Sequence, residues 1–359
     1  MRFLAGALIA ILSAVQGGPA SGIEGERAFF PARQEERARL VINGATDLTA
    51  MQPLILDFQE MSPDVAVEFV DYVTNELFKD AGQACRENRP HGDLLLSSSV
   101  DQLVKLANDG CAAAHSSPAT RSAPSWANWR DEIYGFTFEP AVMVYDGARV
   151  PPEDVPRTRD ALADLLRRKP ELYAGRVGTY DIEASGIGYL LAYNDSRQAP
   201  TTYGRLLESL SRAQAVTRCC NNEVLNEIVS GNILIAYNVL GSYAYAAYRN
   251  NPRLKVVVPR DYTLILSRGA MIPKGARQHE LAASFIDYLL SPRGQTVARE
   301  ASFFFREGHG LPPGVDGPAT LTESGVGRPI RIGPGLLAAQ DRNHRERFIA
   351  DWGRLLARP

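Results

Sequence analysis

Strand-like and helix-like segments alternate through most of this chain, and that alternation limits its fold more than any other feature. "RLVINGAT" is a short apolar strand, and in "DLTAMQPLILDFQEMSP" the residues Leu48, Met51, Leu54, Ile55 and Phe58 recur at helical spacing. Pro63 closes that helix, and "VAVEFVDY" then alternates like a strand. The order repeats with "DLLLSSS" and "VDQLVKLANDG", where Gly110 stops the helix. Such an order specifies an α/β architecture with a largely parallel sheet. A long strand-like run spans Tyr134 to Asp146, and a new helix capped near Thr158 opens a second α/β set: "RVGTYD", "EVLNEIVSGN", "ILIAYNVLGSYAYAAY" and "LKVVVP". "RDYTLILSRGAMIP" reads as a second long connecting strand, and "HELAASFIDYLLSPRGQTVA" as an amphipathic helix with Pro292 and Gly294 at its end. Two α/β lobes joined by two extended strands is the simplest arrangement of this order. A last helix near residues 340–357 is expected to wrap the first lobe, and no internal repeat at a solenoid period is evident.

The first residues carry a different signal. "MRFLAGALIAILSAV" is one Arg followed by an uninterrupted apolar run, and "QGGPASG" supplies small residues after it. This is the order of a secretory signal peptide, with cleavage expected near Gly22 and a run too short for a comfortable membrane span. No Cys lies there to carry a lipid, so the mature protein is expected free in a bacterial periplasm. The net charge of -2 over 359 residues gives no electrostatic footprint for nucleic acid. Export makes the four cysteines informative, because disulfides persist in an oxidising compartment. Cys85 and Cys111 flank one strand–helix unit that a bridge could span, adjacent Cys219 and Cys220 are either a vicinal bridge or two buried thiols, and the sequence leaves the connectivity open.

Four strand-to-helix junctions carry small hydroxyl or amide residues. They are Asn43 to Thr46 with Asp47; Ser97, Ser98 and Ser99; Ser185, Gly186, Ile187 and Gly188; and Asn238 to Ser242. Each places backbone N–H groups at a helix N-terminus, where the macrodipole favours an anion, although ordinary helix capping uses the same residues. Two such junctions per lobe point to one anion-binding cleft at the strand C-termini. Enzyme readings fare worse. No loop has the full glycine spacing of a dinucleotide fingerprint or a Walker lysine, and Glu183 stands where a nucleophile elbow around Ser185 needs Gly. His91, His115, His279, His309 and His344 show no metal-ligand spacing and read as scattered surface residues. Trp126, Trp129, Tyr134, Phe136 and Phe138 precede the first crossover, as a core cluster or as a cleft wall.

The stretches "DLLLSSSVDQLVKLANDG", "WANWRDEIYGFTFEPAVMVYD", "VGTYDIEASGIGYL", "IAYNVLGSYA", "PRDYTLILSRGAMIP" and "FIDYLLSPRGQ" resemble bacterial periplasmic solute-binding proteins of ABC importers. The resemblance is to the type II group, which includes binders of ferric iron and of hexose phosphates or other organic anions, and it covers about residues 40–300. It implies two lobes closing on a solute like a hinged trap, with the closed form recognised by an inner-membrane ABC permease. The divisions expected are a signal peptide at 1–22, the first part of lobe 1 at 23–140, lobe 2 at 141–258, a return to lobe 1 at 259–310 and an extension at 311–359.

Ferric binders of this group use adjacent tyrosines where this chain reads "NVLGSYAYAAY". Here Tyr243 is followed by Ala244, and Tyr245 lies about 200° further round a helix. The departure favours a small anionic organic solute such as a sugar phosphate or a carboxylate, with no metal and no cofactor. Thr46, Asp47, Ser97, Ser98, Ser99, Thr179, Ser185 and Gly186 are expected at the site, with Asn238 and Tyr243 orienting the solute and Arg260 supplying charge. Asp181 and Glu183 are expected to accept hydroxyls from a sugar-like body. Two alternatives stand beside this reading: a ferric-iron binder, and a subunit that presents solute to a periplasmic sensor kinase.

Overall fold

The computed structural model describes residues 27–356, so the expected signal segment 1–22 lies outside the described residues. Among these residues no helix is long and apolar enough to cross a membrane. The strands form two separate eight-stranded sheets, each flanked by helices. The first sheet runs Arg27–Phe30, Val65–Asp71, Ala38–Ala45, Leu94–Ser97, Gly269–Pro273, Ile133–Gly135 and Asn128–Trp129 across its width. Its centre is parallel, with Ile42 opposite both Phe69 and Leu94, as strand–helix–strand connections require. The second runs Val216–Arg218, Val177–Tyr180, Ile235–Leu240, Glu139–Asp146, Leu254–Val257 and Val315–Asp316. Thr263–Leu266 joins its edge through Glu139–Asp146 and pairs in turn with Gly327–Pro329.

The central strands are buried on both faces and are accordingly continuous apolar runs rather than alternating ones. Helices Leu48–Met61, Thr74–Arg86, Val100–Asn108, His279–Leu290 and Pro292–Ala301 cover the first sheet. Gly110, with φ of 78°, ends Val100–Asn108, and the Thr158 hydroxyl accepts from the Ala161 amide to start Arg159–Arg168. Pro292 does not lie inside one long helix. Ser291 caps a second helix, Pro292–Ala301, directly after the first.

The two long connecting strands each break where they change sheet. The run from Tyr134 divides into Ile133–Gly135 in the first sheet and Glu139–Asp146 in the second; its return partner divides at Ser267 and Arg268. The breaks lie side by side. The Phe136 amide donates to the Arg268 carbonyl at 3.0 Å, the Thr137 amide to Ser267 Oγ at 3.2 Å, and the Arg268 amide to Thr137 Oγ1 at 2.8 Å.

The expectation for the tail is corrected. Residues 330–340 do cross the first part of the molecule, where Ile330, Ile332 and Leu336 join its core and Gln340 bonds Asp101. The final helix, Arg342–Leu356, instead packs on the second sheet's helices through Phe348, Trp352 and Leu356 against Tyr189, Tyr193 and Tyr203. The aromatic run before the first crossover is core: Trp126 and Phe138 meet edge-on, as do Phe136 and Phe303. His115 and His91 are not free surface residues, since His115 pairs with Asp287 at 2.8 Å and His91 packs its ring against Tyr72.

Candidate functional site

Between the sheets lies a cavity of about 260 Å³ whose two walls come from the two halves of the chain. Thr46, Asp47, Asp71, Tyr72, Thr74 and Ser98 face it from the first sheet; Ser185, Ile187, Cys219, Cys220, Asn221, Asn222 and Tyr243 face it from the second. Arg268, at the crossover, closes the back. Most of these residues stand at strand-to-helix junctions, so helices Leu48–Met61, Thr74–Arg86, Val100–Asn108, Gly186–Gln198, Asn221–Val229 and Gly241–Asn250 all begin here. Six helix N-termini thus border one small space, their partial positive charges set against the carboxylates of Asp47 and Asp71 that share it.

Arg268 is fully buried and held by Glu139, with Nε to Oε1 at 2.6 Å; its Nη1 donates to Thr46 Oγ1 at 3.1 Å. The guanidinium sits 5.1 Å over the Tyr243 ring and 5.2 Å over Phe303. Burial works against its charge, but Glu139 beside it more than compensates, so it stays a cation. Ser242 donates its hydroxyl to the other carboxylate oxygen of Glu139, which ties the pair to the first turn of Gly241–Asn250. Burial pushes the Tyr243 phenol above its usual range, with Arg268 pulling the other way.

Contacts cross the cleft. The Gly186 amide donates to Thr74 Oγ1 at 3.0 Å, Asn75 Nδ2 donates to the Glu183 and Ala184 carbonyls at 3.0 Å, and Asn222 Nδ2 donates to Asp47 Oδ2 at 2.5 Å. The Asp47 amide reaches the Tyr243 hydroxyl at 3.5 Å. The two walls therefore touch across the cleft.

Of the residues expected from the sequence, Thr46, Asp47, Ser98, Ser185 and Tyr243 line this cavity. Ser185 also caps its helix by accepting from the Gly188 amide at 3.1 Å. Ser97 lies behind, bonded to the Ser99 amide, and the buried Ser99 hydroxyl and Gly186 face each other where the walls touch. The others are displaced. Thr179 and Asn238 sit in the second core, where Thr179 donates to the Tyr237 carbonyl and Asn238, at φ 63°, donates to Asp195. Asp181 accepts from the Glu183 and Ala184 amides and so closes its own turn, while Glu183 is exposed. Arg260 is on the outer surface, paired with Asp316 at 2.6 Å. The cleft's arginine is Arg268, and its carboxylates are Asp47 and Asp71 rather than Asp181 and Glu183.

Arg268 had a signal in the sequence: a cation interrupting two apolar strand runs, "TLIL" and "GAMI", is buried with a partner or it breaks the strand. Thr74 begins a helix straight after the strand "VAVEFVD", the same pattern as the four junctions first singled out. Both cysteine pairs are bridged, Cys85–Cys111 with Cα atoms 5.5 Å apart and Cys219–Cys220 at the cavity wall. The described residues hold one grouping close enough for a metal, Cys219, Cys220 and Glu223. Its bridged sulfurs are not thiolates and so do not fit one. Tyr245, the candidate second iron tyrosine, points into an aromatic cluster with Phe304, Phe305 and Tyr248, at ring distances of 5.0, 6.4 and 5.7 Å.

A family model described as "Bacterial extracellular solute-binding protein" matches residues 90–317. Among solved structures, the substrate-binding protein of an ABC transporter from Agrobacterium tumefaciens is 31% identical, with a TM-score of 0.84 over 93% of this chain and 99% of that one. AfuA from Actinobacillus pleuropneumoniae, a periplasmic binding protein with fructose-6-phosphate bound, is 17% identical with a TM-score of 0.70 over 89% of this chain and 99% of that one. Iron-bound HitA from Pseudomonas aeruginosa is likewise 17% identical, with a TM-score of 0.65 over 87% of this chain and 99% of that one. No curated protein matches the sequence.

Proposed function

Because this chain belongs to the bacterial extracellular solute-binding proteins, which serve ABC transporters and bind solute rather than transform it, we propose that it captures a small hydroxylated organic anion in the periplasm for an inner-membrane permease. The observation that carries this reading is the convergence of six helix N-termini and Arg268 on one cavity of about 260 Å³. That volume lies near the lower end of the roughly 300–1,000 Å³ typical of small-molecule sites, so a phosphorylated sugar or a hydroxycarboxylate fits. Arg268 is already balanced by Glu139, and the anion is therefore held chiefly by helix ends and by the hydroxyls of Thr46, Thr74, Ser98 and Ser185. Asp47 and Asp71 then accept the solute's hydroxyl groups; beside a bare phosphate they would repel. Ferric iron is the rival, supported by the fold it shares with HitA and opposed by the position of Tyr245.

A solute touching both walls binds the closed arrangement better than any open one and so drives closure. The test is a thermal-shift and calorimetry series on the purified chain with sugar monophosphates, hydroxycarboxylates, inorganic phosphate and ferric citrate. Micromolar binding of a member of the first two classes is expected, with Ser98→Ala weakening it by about tenfold through loss of one charge-assisted hydrogen bond. A large shift with ferric citrate alone, accompanied by a visible tyrosinate-to-iron absorption band, would overturn the reading.

A further inference from the structure

The Cys219–Cys220 bridge joins the last residue pair before helix Asn221–Val229, and both cysteines line the cavity opposite Asp71, Tyr72, Val73 and Thr74. Cys220 is the N-cap residue of that helix, yet its side chain makes no capping hydrogen bond, since a bridged sulfur cannot replace a Ser or Asp oxygen. The turn is fixed by other means. Glu223 accepts from the Cys219 amide at 3.2 Å, and the bridge closes a small ring around the 219–220 peptide that removes most of its dihedral freedom. The next two residues carry the contacts that organise the cavity. Asn221 Oδ1 accepts from the Tyr180 hydroxyl at 2.5 Å and the Leu240 amide at 3.0 Å, and Asn222 reaches across the cleft to Asp47.

We propose that the vicinal bridge is a positioning element of the solute cavity: it holds the first turn of Asn221–Val229 so that Asn222 latches on Asp47, and it presents its two sulfurs as one wall to the bound molecule. Ordering this turn covalently in advance removes an entropic cost that closure would otherwise carry. The wall it forms is polarisable and offers only weak acceptors, so it suits a C–H face of the solute rather than its charged head. The role assigned to the sulfurs rests on the reading of this cavity as the solute site; the latch does not.

The experiment needs no ligand. Peptide-level mass spectrometry after alkylation without reductant is expected to show Cys219 and Cys220 linked and unalkylated; alkylation of both overturns the proposal. Hydrogen exchange is then compared in the native chain, a Cys219→Ala/Cys220→Ala variant and a Cys219→Ser/Cys220→Ser variant, all retaining Cys85–Cys111. The serine pair restores an ordinary cap without the ring, so it separates capping from covalent restraint. Both variants are expected to exchange about tenfold faster at residues 219–224 and faster at residues 47–50, with the rest of the map unchanged. Should either variant fail to fold, the native chain partially reduced with a phosphine, with Cys85–Cys111 verified as still linked by mass spectrometry, must show the same local change. Native-like exchange at 219–224 without the bridge overturns the proposal, whatever the binding series finds about the solute.

Discussion

Asp101 shows how much one side chain's burial decides. It stands in the first turn of Val100–Asn108, fully buried, with Gln340 of the tail donating to one of its oxygens at 2.5 Å. Burial pushes its carboxyl up to about 6, against the pull of Gln340 and the backbone amides. A folded-state value raised above the unfolded one means the native protein keeps a proton that the unfolded chain gives up. The associated stability is fully present below about pH 4 and is lost as pH rises to about 6 and beyond. Asp101→Asn keeps an acceptor for Gln340 and removes the charge. It is expected to raise stability at pH 7.5 by about 1 kcal/mol and to do so less at pH 4.5, as read from urea denaturation at both values. Arg268 illustrates the complementary case, a buried charge that is matched. Its ion pair with Glu139 fixes the geometry of the crossover, and the residues that make it useful, Thr46, Thr137 and Ser242, are scattered through the sequence.

At the scale of elements, the strand-to-helix junction is the unit that lines the cavity. Its logic is legible wherever a small hydroxyl or glycine follows an apolar strand, and Thr46, Asp47, Ser98 and Ser185, which it singles out, line the cavity. It misled at Asn238, because a bulge in Ile235–Leu240 turns that residue into the core, and at Asp181, whose carboxylate is used up by its own turn. Gly186 opens its helix against the other wall. A Cβ there would lie 2.6 Å from Ser99 Oγ and 2.8 Å from both Gln102 Nε2 and Thr74 Oγ1, all of them across the cleft. Gly186→Ala is therefore expected to hold the cleft ajar while the helix itself gains slightly from alanine. The expected signs are an increased radius of gyration by small-angle scattering, an unchanged or higher melting temperature, and solute affinity lower by about tenfold. Unaltered scattering and affinity would show that the walls do not close on this residue.

The whole molecule is two sheets, two crossovers and a tail that straps both halves. The tail lies on the first half through Ile330, Ile332 and Leu336 and then docks Phe348, Trp352 and Leu356 on the second. Removing residues 342–359 uncovers the faces of Tyr189, Tyr193 and Tyr203, at roughly 1.5–3 kcal/mol for each large apolar side chain lost from the contact. The second half is expected to melt earlier as a separate calorimetric transition, with the first half keeping its own melting temperature. A single transition at the native temperature would mean that the helix adds nothing to that core.

The α/β architecture is legible without any knowledge of neighbours, because hydrophobic periodicity and glycine or proline stops are local properties of the chain. The grouping of small polar residues at helix N-termini was legible too, since the dipole belongs to each helix whatever packs around it. Which polar residues face the cleft depends on packing between distant segments. Asp181, Glu183, Asn238 and Arg260 are chemically as suitable as Asp47, Asp71, Asn222 and Arg268, and they differ only in what lies beside them. What separates the two sets is where their partners place them: Asn222 bonds Asp47 across the cleft and Arg268 is held by Glu139, yet Asp47, Asp71, Asn222 and Arg268 all line the cavity, and those partners come from segments far apart in the chain.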